Sequence, residues 1–363
     1  MISRGAPIFL AAAVIAACSG GGRAANSPTA SVAVASPSPT PVIDVYDMMG
    51  AFPPATFFVV DKSDVRAIAL LNHATRYTIA TSGKDVQVSA AGNAGRVYVL
   101  DQTSDGARLR WFDINNGAER AAQTVSRASV VSTGIGHGAL AVDESIGLVY
   151  ALVHEPSGIA VESFDWFTLR PARQVFRDFR CGERLVAAAK RVAVACLTTG
   201  PVTPEATVGI LVVDDSGQSS KLGTRFPINS IGMLPDGTLM AGAADGSLVR
   251  LARQKTELEK IDWLTNYGKG LIPDGIAANG DCCFYFGVID ATANDVQSRL
   301  IAGGTAVIAF PEISQPTGGL FVQTPFAYFV VNGRARHVDI NQGFGEVMAD
   351  VGAGALPGAV SNR

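Results

Sequence analysis

Residues 136–176 read GHGALAVDESIGLVYALVHEPSGIAVESFDWFTLRPARQVF, and this stretch decides the fold. Apolar segments rich in β-branched residues alternate in it with turn residues, which predicts four short strands. A four-stranded unit of about 40 residues has the size of one blade of a β-propeller. The predicted strands cover residues 139–142, 148–153, 159–164 and 173–176.

Imperfect copies of this unit fill most of the chain, and an apolar second strand marks each copy. Seven copies follow, with successive second strands starting about 40 to 50 residues apart. One blade alone would leave a hydrophobic face open, whereas a ring of blades buries these faces against each other. We therefore predict an all-β, seven-bladed β-propeller over residues 45–363. The seven second strands are TFFVVD (56–61), RVYVLD (96–101), GLVYALV (147–153), RVAVACL (191–197), GTLMAGA (237–243), CCFYFGV (282–288) and FAYFVVN (326–332).

Two places in the repeat leave alternatives open. The first unit has no obvious inner strand before TFFVVD, so we expect either the tail at 345–360 or the stretch at 42–45 to supply it and close the ring. The segment QKTELEKIDWL (254–264) could form a short amphipathic helix. The repeat favours an outer strand there instead.

Two segments of the repeat, GALAVDESIGLVYAL (138–152) and ARLRWFDINNGAERA (107–121), carry a family resemblance. They resemble the YVTN-type, WD40-like and quinoprotein-like propeller repeats of secreted bacterial proteins, although the Tyr-Val-Thr-Asn tetrad itself is absent. The resemblance extends over residues 50–345 and implies a propeller fold.

The N-terminus predicts export. A single cation, Arg4, precedes an apolar run over residues 6–17 that matches a secretory signal peptide and is too short to span a bilayer. The run ends in IAAC (15–18), which resembles the lipobox of bacterial lipoproteins. That resemblance implies cleavage before Cys18 and a lipid thioether on its sulfur; an ordinary signal peptide is the alternative. We predict a signal peptide over residues 1–17 and a lipid-anchored, extracytoplasmic protein of the cell envelope.

Residues 18–44 are predicted to be the lipidated cysteine and a flexible linker. Residues 19–43 are rich in Gly, Ser, Pro, Ala and Thr and contain one charge. Such a composition buries too little apolar surface to offset the entropy of ordering. As a random coil the segment spans roughly 25–30 Å.

Composition and charge narrow the classes of partner. Hydrophobic residues make up 48% of the chain and charged residues 17%, which excludes disorder of the whole chain. The net charge is −3, and it becomes −4 once residues 1–17 and their Arg4 are removed. Because no basic patch is present, we expect no nucleic-acid partner. We expect a monomer whose partners are the membrane, through the lipid anchor, and a protein or small-molecule ligand.

Four cysteines follow Cys18. If residues 183–188 and 191–197 form a hairpin, Cys181 and Cys196 lie nearly opposite each other, which predicts a disulfide worth about 3 kcal/mol. Cys282 and Cys283 would point to opposite sides of a regular strand. Two thiols are therefore favoured over a bond between these neighbours.

The sequence lacks the common catalytic signatures, including the nucleophile elbow, the phosphate-binding P-loop and the zinc-binding His-Glu-x-x-His helix. The run GIGHG (134–138) lacks the third glycine and the following helix of a dinucleotide-binding loop. We interpret it as a flexible turn that enters a strand.

Five predicted innermost strands begin with a polar residue followed by an apolar run. Innermost strands line the axial channel of a propeller, so these polar residues are predicted to meet at one channel mouth and bind a ligand. Carboxylate, imidazole and amide groups there could hold a divalent metal or a polar ligand. The alternative is that they only satisfy backbone groups and water. The five residues are His137, Glu183, Asn229, Asp274 and Thr317.

Two functions fit these features. The first is a cell-surface lipoprotein that binds a ligand or a protein, with the loops at 198–207 and 289–298 as recognition elements. The second is a metal-dependent, lactonase-like hydrolase at the channel mouth, in which His137 acts as a base and the neighbouring polar groups hold the ion. The sequence leaves open whether the protein is an enzyme, and it predicts no cofactor other than that metal.

Overall fold

The computed structural model describes strands, turns and loops, and the described residues include no helix. All of them belong to the compact unit Ile43–Arg363. The predicted signal peptide, Cys18 and the linker lie outside them. The structure describes residues 55–179, 184–195, 210–214, 217, 219–222, 228–243, 248–253, 255, 259–261, 271–279, 283–290, 297–302, 306–309, 319–323, 326–339 and 345–361.

The described strands form seven antiparallel sheets, which we number as blades 1 to 7 in chain order. Blade 1 contains β1 (Thr56–Asp61), β2 (Asp64–Ala69), β3 (Thr75–Ala80) and the last strand, β29 (Leu356–Val360). Blade 2 contains β4 (Gln87–Ala91), β5 (Arg96–Thr103), β6 (Gly106–Asp113) and β7 (Glu119–Ser126). Blade 3 contains β8 (Ser129–Val130), β9 (Leu140–Asp143), β10 (Leu148–Glu155), β11 (Gly158–Asp165) and β12 (Pro171–Phe179).

The remaining four blades have four strands each. Blade 4 contains β13 (Arg184–Ala188), β14 (Arg191–Ala195), β15 (Ile210–Val213) and β16 (Ser219–Leu222). Blade 5 contains β17 (Ile228–Met233), β18 (Leu239–Ala243), β19 (Leu248–Leu251) and β20 (Glu259–Ile261). Blade 6 contains β21 (Leu271–Asn279), β22 (Cys283–Asp290), β23 (Gln297–Ala302) and β24 (Ala306–Ala309). Blade 7 contains β25 (Phe321–Gln323), β26 (Phe326–Val331), β27 (Arg334–Asp339) and β28 (Gly345–Asp350).

The innermost strands form a closed ring. In ring order they are β29, β4, β9, β13, β17, β21 and β25; each contacts the next, and β25 contacts β29. This arrangement confirms the predicted all-β propeller, and the seven sheets correspond to the seven units expected from the sequence.

The last strand of the chain closes the ring. β29 pairs antiparallel with β1, so that Phe57 faces Val360 and Val60 faces Leu356. The tail therefore supplies the inner strand that the first unit lacks, as one of the two alternatives predicted. The sequence also allowed a short helix over residues 254–264. The described residues Glu259–Ile261 of this segment form a strand, β20.

Burial explains why the second strand marks each repeat. All six residues of β1 (TFFVVD) are buried, because this strand has hydrogen-bonded neighbours on both edges and packed blades on both faces. The outer strand of the same blade, β3 (TRYTIA), has one buried residue. A continuous apolar run therefore identifies the second position, whereas the outer strands carry a weaker pattern.

The cysteine predictions fall mostly on residues that the structure does not describe. β13 and β14 form the predicted hairpin, in which Arg184 pairs with Ala195 and Ala188 with Arg191. Cys181 and Cys196 lie just beyond the described part of this hairpin. The disulfide stays a prediction.

Within the described ranges, no helix is long and apolar enough to cross a bilayer.

Candidate functional site

The innermost strands all begin on one side of the ring, which we call the entrance face. Because neighbouring strands are antiparallel, the turns between second and third strands lie on this face, as do the connections between blades. Lys62 lies on this face, in the turn between β1 and β2, and so does Asp85, just before β4. Both residues line one cavity together with Leu356 at the start of β29.

A loop from blade 3 extends into the centre of the entrance face. The amide of Val131 donates to the carbonyl of Leu152, and the amide of Leu152 donates to the carbonyl of Ala139. The residues before and after this loop are therefore hydrogen-bonded to the same residue of β10, Leu152. The seven residues between them, STGIGHG (132–138), leave the sheet, and we call them the axial loop.

Backbone groups on both sides of blade 3 hold the axial loop. The amide of Val88 in blade 2 donates to the carbonyl of Gly136 at 2.8 Å, and the amide of Leu185 in blade 4 donates to the carbonyl of Gly138 at 2.6 Å. The guanidinium Nη1 of Arg184 also donates to the carbonyl of Thr133 at 2.8 Å. The loop is thus tied to both neighbouring blades.

Blade 1 approaches the axial loop so closely that a side chain at Gly136 would not fit. A Cβ atom built on Gly136 would lie 2.6 Å from the carbonyl oxygen of Pro357 in β29. Glycine is therefore required here by contact rather than by backbone angle. GIGHG leads into β9, as the turn interpretation predicted, and it packs against the ring on the way.

His137 reaches from the axial loop to blade 7. Its ring packs edge-on against Phe321 with 4.8 Å between ring centroids. A Cβ atom on Gly319 would lie 2.9 Å from its Nε2 atom, so the glycine leaves room for the imidazole. Blades 3 and 7 are three positions apart around the ring, so the His137 side chain crosses the central opening.

Gln87 is the main polar anchor of the axial loop. It is the first residue of β4 and is 2% exposed. Its Nε2 atom donates to the carbonyl of Ile135 at 2.9 Å. Its Oε1 atom accepts from the amide of Ala139 at 3.0 Å and from the hydroxyl of Thr133 at 3.1 Å. Sequence reasoning missed Gln87, although QVSAA follows the same rule of a polar residue before an apolar run.

The other predicted mouth residues are described only in part. Asn229 lies in β17 and Asp274 in β21, each at a register shift between the innermost strand and its neighbour. Such shifts indicate a β-bulge, which locally redirects a strand. Glu183 and Thr317 lie outside the described residues. A metal or ligand held jointly by these residues and His137 stays a prediction.

Two cavities open on the entrance face of blades 1 to 3. The first has a volume of about 240 Å³ and lies between the axial loop, blade 1 and blade 2; Lys62, Asp85 and Gln87 are among its lining residues. The second has a volume of about 440 Å³ and lies between the turns of blades 2 and 3, where Asp105 and His154 contribute to its wall. Both cavities are lined by a mixture of polar and apolar groups, most of them in turns and blade connections.

No protein-family profile and no curated protein matches the sequence significantly.

Several solved structures are similar in shape. The WD40 repeats of RRP9 superpose with a TM-score of 0.55 at 12% identity, covering 76% of this chain and 83% of that one. Apo AztD from Citrobacter koseri superposes with a TM-score of 0.53 at 13% identity, covering 82% and 83%. A functionally unknown protein from Desulfotomaculum acetoxidans superposes with a TM-score of 0.56 at 11% identity, covering 84% and 98%. At these identities the likeness concerns the fold alone, and the chain is a β-propeller.

Proposed function

We propose that this protein is a lipid-anchored binding module of the cell envelope, and that it binds a partner protein through the entrance face of blades 1 to 3. One observation carries the proposal. The chain segment before and within the axial loop borders both cavities, since Arg127 and Ser129 line one and Thr133 and Ile135 line the other. The two cavities therefore belong to one continuous surface.

The fixed axial loop supports a binding role. Its hydrogen bonds and close contacts to the surrounding blades hold the centre of this surface in one shape. A surface that is already ordered pays less entropy when a partner binds. Binding loops on a rigid scaffold are a common way for a fold without catalytic residues to act.

The charges around the cavities favour a protein partner over a small molecule. Charged side chains of both signs, among them Lys62, Asp105 and Arg127, border the two cavities. Such a mixed, shallow surface suits the side chains of a protein.

Site-specific photo-crosslinking in the producing cell tests the proposal. A photoreactive amino acid is placed at Lys62, Asp105 or Arg127, all exposed on the entrance face, and in control variants at Asn115 or Asn116 on the opposite face. We expect the same crosslinked protein from the three entrance-face positions and none from the controls. Crosslinks that are absent, or equal on both faces, would contradict the proposal.

The hydrolase remains a second prediction from the sequence. It requires the side chains of Glu183, Asn229 and Asp274 to converge on an ion near His137, whose ring contacts Phe321. A lactone-hydrolysis assay on the purified protein, with and without a chelator, separates it from the binding module.

A further inference from the structure

Three side chains with metal-binding groups meet where the ring closes, between blades 7 and 1. His73 lies in the connection between β2 and β3, His337 in β27 and Glu346 in β28. One ligand atom from each lies within 4.8 Å of those of the other two. They are the single such group of three among the described residues.

Packing holds the central member of this group in place. His337 is 8% exposed. Its ring stacks on Phe326 with 4.7 Å between centroids and meets the edge of Tyr328 at 6.1 Å. One face of the imidazole is therefore fixed by aromatic rings of the same blade.

The two partners of His337 come from separate elements. Glu346 faces His337 in the register of β27 and β28, and its Oε2 atom lies 3.8 Å from the His337 Nε2 atom. The ring of His73 meets that of His337 edge-on, with 4.9 Å between centroids. Its backbone is left-handed, with a φ of 60°, and its amide donates to the carbonyl of Ala69 at 3.0 Å. The turn thus directs His73 toward the neighbouring blade.

A buried polar atom in this cluster has no protein partner. The Nδ1 atom of His337 is buried and makes no hydrogen bond with any described group. Buried polar atoms are nearly always satisfied, so this atom needs an explanation. The distance of 3.8 Å between Nε2 and Glu346 is also too long for a hydrogen bond.

We propose that His73, His337 and Glu346 bind a divalent transition-metal ion of the zinc type. Two imidazoles and one carboxylate are a common ligand set for zinc, with a fourth position left to water or another ligand. In a tetrahedral site with bonds of about 2.0–2.1 Å, ligand atoms lie about 3.4 Å apart. The present spacing of up to 4.8 Å is wider than this, and we expect exposed Glu346 and partly buried His73 to rotate toward the ion when it binds.

The position of the site gives the metal a structural consequence. His73 belongs to blade 1, whereas His337 and Glu346 belong to blade 7, so the ion would join the two blades that meet where the ring closes. An ion that binds only the folded ring stabilises it by mass action. This inference does not depend on the proposed binding partner.

Zinc titration of the full-length chain, purified without a histidine tag, tests the proposal. Isothermal titration calorimetry is expected to show one zinc ion per chain, and zinc is expected to raise the midpoint of thermal unfolding by several degrees over the same protein in chelator. His73→Ala and Glu346→Gln should each weaken zinc binding at least tenfold and abolish most of the thermal shift. Both side chains lie at the surface, so these variants should fold. His154→Ala, which removes an exposed histidine elsewhere, should bind as the wild type does.

Three outcomes would overturn the proposal. One is the absence of zinc binding to the wild-type chain. Another is wild-type affinity in both His73→Ala and Glu346→Gln. The third is a zinc-edge X-ray absorption spectrum with sulfur neighbours at about 2.3 Å, which would assign the ion to cysteines. Nitrogen and oxygen neighbours only, lost in Glu346→Gln, would support it.

Discussion

Replacing Gln87 by methionine tests whether the axial loop is fixed, because the carboxamide of Gln87 holds the loop and the new side chain keeps its length. The substitution removes the acceptor of the Ala139 amide, and Ala139 is fully buried. An unsatisfied buried amide costs about 1–3 kcal/mol. The carbonyl of Ile135 loses its bond from Gln87, but the one proton of the Thr133 hydroxyl no longer has Gln87 as an acceptor and can go to this carbonyl, so we add about 1 kcal/mol. The expected loss of unfolding free energy is about 2–4 kcal/mol.

Urea unfolding followed by tryptophan fluorescence measures this loss, since Trp111 and Trp166 lie in blades 2 and 3 and report on the unfolding of these blades. We expect a lower midpoint with an unchanged dependence on urea concentration. Amide hydrogen exchange gives a local measure. The amide of Ala139 should lose its protection in the variant, while amides in blades 5 and 6 keep theirs.

The matched control is Gln123→Met in the outer strand of blade 2. The carboxamide of Gln123 donates to the neighbouring carbonyl of Thr124, and the residue is only partly buried. Its replacement should change the unfolding free energy by less than about 0.5 kcal/mol. If Gln87→Met shifts the midpoint no more than this control does, the loop is not held by Gln87 and the argument for a preformed entrance face fails.

Three further substitutions test the buried charge, the close contact and the anchor. Asp101→Asn removes the charge of a fully buried carboxylate that lies 3.5 Å from the buried Arg110, and thermal unfolding should show a loss of about 3 kcal/mol. A loss no larger than that of the exposed control Asp105→Asn would contradict the buried pair. Gly136→Ala forces a Cβ atom against a carbonyl of β29 and should cost about 1–3 kcal/mol in the same assay, so an unchanged unfolding midpoint would show that the contact is loose. Cys18→Ser should move the protein from the membrane fraction to the soluble fraction on cell fractionation, and its retention with the membrane would refute the lipid anchor.

The fold could be predicted from the sequence because one strand of each blade is buried on all sides and therefore has a nearly continuous apolar run. β1, β5, β10 and β26 carry nearly continuous apolar runs, since they have neighbours on every side. The repeat of that run along the chain fixes the spacing and number of blades. The two closure alternatives could not be separated in this way, because each contains a short apolar stretch that could pair with β1.

The axial loop could not be predicted, because its glycines carry no side-chain pattern. Gly136 is required by the carbonyl of Pro357, which is more than 200 residues away in the sequence. The sequence placed His137 at the start of an innermost strand, whereas it lies in the axial loop before β9, and its contact with Phe321 depends on how blades 3 and 7 face each other across the ring. The pattern that selected His137, a polar residue before an apolar run, also fits Gln87 in the second unit.

The direction of β1 connects the proposed anchor with the proposed binding surface. Phe57, near the beginning of β1, pairs with Val360 at the end of β29, whereas Val60 pairs with Leu356 at its start. Because β29 begins on the entrance face, β1 begins on the opposite face. The first described strand is therefore entered from the side away from the cavities. If Cys18 carries the proposed lipid, this start of the described ring lies on the face opposite the proposed binding surface.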